Sequence, residues 1–254
     1  MSAIHGRILE WDSGFMGFPV CELTVTSIAS AKELPVEIKS KQHEGFKLIY
    51  LNAPEQVGVS PQILRSLGGA LVDHKTTFER SLENLEELTP QCPPELKIER
   101  RTEQVSKSYL TSLMDLAREA GKFSRFKSDP RFPLDKFNEL YDTWLLKSLR
   151  GELAKTVLVC ENKNDSPMGF VTIACKGQLG SIGLIAVAPA VRGKGIATLL
   201  TMRALHEMKS LGMVSASVVT QRENVGACAL YEKCGFSISD ETSRYHFWCN
   251  QGNQ

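Results

Sequence analysis

The amino-acid sequence predicts an α/β fold, in which the main α/β domain is preceded by a smaller one. Three observations support this interpretation. Residues 96–249 alternate short apolar runs with stretches of helical periodicity, residues 184–200 read as strand, turn and helix, and a proline-rich stretch at 82–94 divides the chain. Alternating strands and helices are typical of α/β domains. We therefore predict an N-terminal α/β domain over residues 1–90 and a second domain over residues 95–254.

Length and charge restrict the classes of protein to which the chain can belong. Its 254 residues suffice for one large domain or two of ordinary size. The net charge of +1 gives no reason to expect binding to nucleic acid or to an anionic membrane surface. We see no apolar segment of a signal peptide at the N-terminus, and no apolar run approaches the ~18 residues that a membrane helix needs.

The seven cysteines are scattered along the chain. They show neither a C-x-x-C pair nor the Cys/His spacing of a zinc site, so we expect neither a disulfide framework nor a bound metal. This usage of cysteine suits a reducing compartment, and we expect the protein in the cytoplasm.

Short apolar runs between turn residues predict the elements of the first region. Strands are expected over residues 4–9, 21–27, 46–52 and 70–78, with a short helix over 61–67 that Gly68 and Gly69 end. Residues 82–94 are acidic at first and then contain three prolines within five residues. We predict a stiff, exposed linker there.

The second region predicts the element order β-α-α-β-β-β-α-β-α-β. A strand at 96–100 precedes helices around 110–117 and 137–148, and strands follow at 156–160, 168–175 and 181–188. The next helix runs to 211, a strand covers 213–220, a helix lies between 224 and 235, and the last strand covers 237–249.

The turn between residues 189 and 196 predicts a phosphate-binding loop. Pro189 ends the preceding strand because proline has no N–H for a central ladder. Arg192, Gly193, Lys194 and Gly195 then open a helix. The glycines leave backbone N–H groups uncovered, and the helix N-terminus adds free N–H groups and partial positive charge. The loop is neither a Walker A loop nor a Rossmann fingerprint; a plain glycine-containing turn is the alternative.

A second motif begins at Asn224. Ala227, Leu230 and Tyr231 recur at i, i+3 and i+4, and so they share one helix face. Asn224 can cap this helix or offer its amide to a ligand, and Gly235 can end the helix in the left-handed conformation.

Together the two motifs resemble those of the GCN5-related N-acetyltransferases (GNAT). The first is Arg-x-x-Gly-x-Ala at 192–197, and the second is Asn-x-x-Ala-x-x-Leu-Tyr-x-x-x-Gly-Phe at 224–236. The resemblance covers residues 96–249 and implies the GNAT fold, in which a mixed central sheet is flanked by helices. It implies acetyl-CoA as cosubstrate and no metal. It also implies a set of residues that contact coenzyme A: Ile185, Ala186, Val187, Arg192, Gly193, Lys194, Gly195, Ile196, Ala197, Asn224 and Tyr231.

Other segments resemble one group of these enzymes, the dTDP-fucosamine N-acetyltransferases. These segments are Trp-Asp-Ser-Gly-Phe-Met-Gly-Phe at 11–18, Leu-Gly-Gly-Ala-Leu-Val-Asp at 67–73, and Phe-Ser-Arg-Phe at 123–126 followed by Phe137, Tyr141 and Trp144. Those enzymes carry a small N-terminal domain and N-acetylate the 4-amino group of dTDP-4-amino-4,6-dideoxygalactose in bacterial surface-polysaccharide synthesis. The resemblance therefore implies a nucleotide-activated amino sugar as acceptor.

The resemblance also suggests roles for individual side chains. Tyr231 would protonate the leaving thiolate, although a tyrosine packed in the core is the alternative. Asp73 would lie near the acceptor amine and receive its proton, whereas a solvated carboxylate at a strand end is the alternative. Ser124 and Arg125 would bind the acceptor, with Arg125 on the diphosphate, unless Arg125 is merely solvated. No motif includes a histidine, and we expect all five to be structural or superficial: His5, His43, His74, His206 and His246.

The sequence thus predicts a cytoplasmic enzyme that transfers acetyl directly from acetyl-CoA to the amine of a nucleotide-activated amino sugar. Its partners would be small molecules, with no nucleic acid and no membrane, and a homodimer is allowed. Two other hypotheses stay open. One is a GNAT enzyme that acetylates a protein N-terminus, an amino acid or a polyamine, and the other is a non-catalytic CoA-binding module.

Overall fold

The computed structural model describes residues 4–85 and 92–249. In these ranges the strands are β1 (Ile4–Ile8), β2 (Val20–Val25), β3 (Leu48–Pro54), β4 (Gly69–Ser81), β5 (Leu96–Arg100), β6 (Thr156–Asn162), β7 (Pro167–Lys176), β8 (Leu179–Val187), β9 (Ser215–Gln221) and β10 (Ser237–Trp248). The helices are α1 (Glu10–Met16), α2 (Ile28–Ala31), α3 (Leu34–His43), α4 (Pro61–Ser66), α5 (Lys107–Ala120), α6 (Arg125–Ser128), α7 (Leu134–Leu149), α8 (Ile196–Ser210) and α9 (Val225–Lys233).

All ten described strands form one sheet in the order β1-β2-β3-β10-β4-β9-β8-β7-β6-β5. The pairs β2/β3 and β8/β9 are parallel, and the other neighbours are antiparallel. The last strand, β10, lies between β3 and β4, and β4 in turn pairs with β9. The mixed α/β fold is therefore confirmed. The sheet continues without a break from the first region to the second, and the division into two folding domains stays a prediction.

Helices cover both faces of this sheet. One face packs against α1, α5 and α7 in a core that includes Leu113, Phe137 and Phe170, and the other packs against α8 and α9 around Val171 and Leu200. Adjacent residues of β7 thus enter opposite cores, as the pleat of a strand requires. Helix α8 buries Leu200, Ala204 and Met208 as a single apolar stripe.

The predicted strands and long helices lie where the structure has them, and β5 matches its predicted bounds. Helices α1, α2, α3 and α6 were not predicted. The expectation of an exposed linker at 82–94 is wrong at its start. Leu82 and Leu85 are buried in the α8 core, and the backbone N–H of Leu82 donates to Val214 O at 2.9 Å. Residues 86–91 of this stretch lie outside the described ranges.

Two further observations concern the described parts of the chain. No helix within 4–85 and 92–249 is both long and apolar enough to span a bilayer. All seven cysteines lie in these ranges, and each is a free thiol.

Candidate active site

A cleft of about 540 Å³ opens where two parallel strands separate. Strands β8 and β9 pair from Leu179 opposite Ser215 to Ile182 opposite Val218. Beyond that point β8 continues to Val187 and β9 to Gln221 without pairing to each other. One edge of β8 therefore keeps backbone N–H and C=O groups that an extended ligand can satisfy.

Most of the predicted coenzyme-binding residues line this cleft. They are Ile185, Ala186, Val187, Arg192, Gly193, Ala197, Asn224 and Tyr231. Three others do not line it. Ile196 is the first residue of α8 and its side chain is buried in the core, Lys194 is exposed, and Gly195 is the residue before α8. These three stay predictions as coenzyme contacts, and Ile196 can make one only through its backbone.

The glycine-containing loop enters α8 through two left-handed residues. Gly193 has φ of 77° and Gly195 has φ of 78°. No atom lies within 4 Å of the place where a Cβ would stand on either glycine, so glycine is needed here for its backbone conformation and not for space. The first N–H groups of α8 have no intrahelical acceptor, and they lie at the mouth of the cleft beside Ala197. This geometry suits an anion.

Arg192 connects the loop to the opposite wall of the cleft. Its Nε donates to the carbonyl oxygen of Val187 at 3.2 Å, and its Nη2 lies 2.6 Å from Oε1 of Glu119 in α5. Burial raises the pKa of Glu119, but hydrogen bonds from Arg192 and Lys122 outweigh it and lower that pKa below its ordinary value. Part of the positive charge of Arg192 is therefore neutralised by Glu119, while Lys194 is exposed beside the loop.

Helix α9 places Asn224 and Tyr231 on the far wall. The side-chain oxygen of Asn224 accepts from the N–H of Ala227 at 3.3 Å and so caps the helix. Tyr231 is only 2% exposed, and its ring packs against Phe78 and Phe236 with centroids 5.6 and 5.9 Å away. Burial raises the pKa of Tyr231 well above its usual range. The phenol therefore keeps its proton at neutral pH, as a proton donor must.

Asp73, Ser124 and Arg125 do not line the cleft themselves, but Asp73 and Arg125 contact each other beside it. The backbone N–H of Arg125 donates to Oδ2 of Asp73 at 3.2 Å, and Nε2 of Gln221 lies 3.5 Å from the same oxygen. Because Gln221 also lines the cleft, Asp73 is separated from it by a single side chain. The alternative of a solvated strand-end carboxylate is wrong, since Asp73 is 4% exposed and lies within β4.

The surroundings of Asp73 make it a better base than an ordinary carboxylate. Burial raises its pKa above the usual 3.8, although the positive charges of Arg244 and Arg125 oppose the shift. Its Oδ1 is buried and has no hydrogen-bond partner among the described residues. The guanidinium of Arg125 lies 4.0 Å above the ring of Tyr50, which fixes it by a cation–π contact.

Comparison with known proteins decides the family. The model of the acetyltransferase (GNAT) family matches residues 110–236, which is half of the chain. This chain belongs to the GNAT family. Members of the family use acetyl-CoA as cosubstrate, and the matched residues include the glycine loop, Asn224 and Tyr231.

Curated relatives of this GNAT chain include three named proteins. The spore coat polysaccharide biosynthesis protein SpsD of Bacillus subtilis is 28% identical over 137 residues, which are 54% of this chain and 47% of SpsD. The mycothiol acetyltransferase of Renibacterium salmoninarum is 29% identical over 40% of this chain and 33% of its own. The streptothricin acetyltransferase of Escherichia coli is 36% identical over 28% of this chain and 49% of its own. The chain spans half or less of the length of these relatives.

Solved structures show the same fold at low sequence identity. A GCN5-related N-acetyltransferase from Sphaerobacter thermophilus has a TM-score of 0.62 and 13% identity, and the match covers 99% of this chain and 78% of that one. One from Kribbella flavida has a TM-score of 0.59 and 12% identity, with 99% and 88% covered.

Sequence reasoning did not indicate that two polar residues of this GNAT chain, His246 and Arg244, lie near Arg125. Nδ1 of His246 lies 2.7 Å from Oδ2 of Asp129, which also accepts from Nε1 of Trp248 at 2.7 Å. Burial lowers the pKa of His246 to about 4, although the hydrogen bond to Asp129 opposes the shift. His246 is thus a neutral residue of the interior. Arg244 lies opposite Asp73 in the sheet. Residues 244 and 246 share one face of β10. Their alternation within a long strand was the only sequence feature that could have indicated two polar side chains on the same face.

Within residues 4–85 and 92–249, no three His, Cys, Asp or Glu side chains are grouped so that they could hold a metal ion.

Proposed function

We propose that this protein transfers the acetyl group of acetyl-CoA directly to the amino group of a nucleotide-activated amino sugar of the dTDP-4-amino-4,6-dideoxyhexose type. One observation carries the proposal. The cleft between β8 and β9 has a loop that suits an anion at its mouth, and the buried carboxylate of Asp73, beside Arg125, lies behind the lining residue Gln221. These two features suit the two substrates of an acetyl transfer.

The loop and strand β8 are the site proposed for acetyl-CoA. The free N–H groups at the start of α8 would bind its pyrophosphate, with Gly193 and Gly195 holding the loop open. The unpaired edge of β8 from Ile185 to Val187 would hydrogen-bond the pantetheine arm, with the amide of Asn224 opposite. In this proposal the thioester would lie along the cleft towards Tyr231.

The chemistry needs one base and one acid. Asp73, whose pKa is raised, would take a proton from the acceptor ammonium. The freed amine attacks the thioester carbonyl carbon, so that a C–N bond forms and the C–S bond breaks. Tyr231, which is protonated before the reaction, would give its proton to the departing thiolate, and the proton that the nitrogen loses as the amide forms would restore the phenol.

Three findings support the acceptor. Arg125, which follows Ser124, lies beside Asp73 and puts a cation next to the proposed amine site. The relative SpsD is named for polysaccharide biosynthesis. The segments at 67–73 and 123–126, which resemble the dTDP-fucosamine enzymes, are joined by the hydrogen bond between Arg125 and Asp73. The free thiols suit a reducing compartment, so we place the reaction in the cytoplasm. A homodimer stays an untested prediction.

A second candidate function has specific support. A region of 67 residues is 36% identical to N-alpha-acetyltransferase 30 of Schizosaccharomyces pombe, which favours a protein N-terminus as acceptor. The surroundings of Asp73 argue against this candidate, because the nearby Arg244 and Arg125 suit an anionic acceptor.

A competition assay tests the proposal. The protein is incubated with acetyl-CoA and equal amounts of dTDP-4-amino-4,6-dideoxygalactose, spermidine, an amino acid and an N-terminal peptide, and the acetylated products are measured by mass spectrometry. The nucleotide sugar should have the highest kcat/KM. A higher kcat/KM for the peptide or for spermidine would instead indicate that the acceptor is a protein N-terminus or a polyamine. Binding of acetyl-CoA without transfer to any amine would leave only a CoA-binding module.

A further inference from the structure

Three strands place polar side chains in one row across the sheet. Arg244 of β10 lies directly opposite Asn52 of β3 on one side and Asp73 of β4 on the other. Residues that are directly paired in a sheet project from the same face. Asn52, Arg244 and Asp73 are therefore neighbours on one face, and Arg125 at the start of α6 covers the Asp73 end of the row.

The polar atoms of this row are not satisfied by the described residues. Four buried atoms have no hydrogen-bond partner there: Nε of Arg125, Nε of Arg244, Oδ1 of Asp73 and Oδ1 of Asn52. Neither arginine forms an ion pair within the described ranges, whereas most other described arginines do. Buried donors and acceptors are almost always paired in proteins, so four in one row indicate a group that binds there.

The row also has an excess of positive charge. Burial, followed by the nearby charge of Arg125, lowers the pKa of Arg244 to about 10. The two guanidiniums therefore repel each other, and the carboxylate shared between them is that of Asp73. Of the other charges nearby, Lys75 lies 3.8 Å from Asp240 and Glu22 lies 2.8 Å from Arg7. Asp12 is a second carboxylate that interacts with Arg125, although it forms no close ion pair within the described ranges. An anion between the two guanidiniums would relieve this repulsion.

We infer that Arg244 and Arg125 together bind the diphosphate of the acceptor, while Oδ1 of Asp73 accepts a hydrogen bond from its amine. The inference rests on the proposed function and adds Arg244 as the residue that selects acceptors with a nucleotide diphosphate. Guanidinium groups bind phosphate oxygens through forked donors. Two of them, on β10 and α6, suit a diphosphate, which has oxygens on two phosphorus atoms. Asn52 lies at the end of the row, where its side chain accepts from a sugar hydroxyl.

Steady-state kinetics on Arg244→Gln test the inference. The acceptors are dTDP-4-amino-4,6-dideoxygalactose and the same amino sugar without the nucleotide. Loss of charged hydrogen bonds should raise KM for the nucleotide sugar about tenfold or more, with little change in kcat and none in KM for the free sugar. Arg65→Gln, on the exposed surface of α4, is the matched control and should behave like the wild type.

Direct binding separates this inference from the proposed function. Thymidine diphosphate, titrated calorimetrically without acetyl-CoA, should bind the wild type and Arg65→Gln but bind Arg244→Gln about tenfold or more weakly. If Arg244→Gln does not fold, Arg244→Lys keeps the charge, loses the fork and should show a smaller weakening in the same direction. A folded Arg244 variant with unchanged affinity and unchanged KM would overturn the subsite. If the wild type does not acetylate the nucleotide sugar, the proposed function fails, and the titration still decides whether the subsite exists.

Discussion

The glycine loop at the start of α8 allows the role of backbone conformation to be tested apart from that of space. Gly195 has φ of 78°, and no atom lies within 4 Å of the place where its Cβ would be. Valine at this position would therefore meet no steric clash, but it would have to adopt a left-handed conformation. The left-handed conformation costs a residue that has a Cβ roughly 1–2 kcal/mol, and the cost for a β-branched residue such as valine lies at the upper end of this range.

Gly151 provides a matched control for Gly195→Val. It has φ of 80°, has the same open space around it, and does not line the cleft. Both valine variants should lose about 1–2 kcal/mol of unfolding free energy, and each kcal/mol lowers Tm by about 2–4 °C in a chain of this size. Only Gly195→Val should weaken acetyl-CoA binding. Loss of one charged hydrogen bond would raise Kd about tenfold or more.

Calorimetric titration with acetyl-CoA and thermal unfolding by circular dichroism measure the two quantities. The reasoning fails if folded Gly195→Val binds acetyl-CoA with wild-type affinity. It also fails if Gly151→Val weakens binding equally, because the effect would then come from general destabilisation and not from the loop.

Three other changes have defined outcomes. Tyr231→Phe should lower kcat by about 100-fold and leave the Kd for acetyl-CoA unchanged. The control Tyr245→Phe alters a tyrosine that is buried in another core and should keep the wild-type kcat. Equal kcat values in the two variants would show that Tyr231 only packs in the core. Asp73→Asn should lower kcat/KM for the amine yet raise Tm at pH 7. The raised pKa means that the ionised Asp73 opposes folding above its ordinary value of 3.8, so the gain in Tm should vanish below that pH, and a gain that persists at pH 3 would contradict this. A chain that begins at Pro94 lacks β4, the strand with which β9 and β10 pair. We therefore expect no cooperative transition in its thermal melt. A cooperative transition together with binding of acetyl-CoA would support two separate domains.

Local sequence patterns predicted the strands and helices that are determined by residues close together in the sequence. Strand β5 and the helix capped by Asn224 follow from apolar spacing and from single residues at their ends. Helix α3 was missed because it buries only Leu34 and Ile38 among its ten residues, which leaves little periodicity to detect. The insertion of β10 between β3 and β4 pairs residues far apart in the sequence, and no local pattern contains that information.

The candidate site divides in the same way. The cleft proposed for the coenzyme could be predicted because its residues form two compact motifs, and most of them line the cavity. The proposed acceptor site is assembled from β3, β4, β10 and α6, so each strand contributes one or two polar residues without a motif. Asp73 and Arg125 were found through a family resemblance. Arg244 was missed because a single arginine in a strand is ordinary until its partner strands are known.

The position of β10 also constrains how the protein can be made. Ser81 ends β4 and Ser237 begins β10, so more than 150 residues must be translated after β4 before its neighbour exists. At a translation rate of about 5–20 residues per second, roughly 8–30 s would pass between the synthesis of β4 and that of β10. During this time the edges of β3 and β4 that later pair with β10 have unpaired backbone N–H and C=O groups. During that interval the nascent chain is a target for chaperones and for pairing with other strands. Slowing or stalling translation between these two strands should therefore increase aggregation more than the same delay placed after β10.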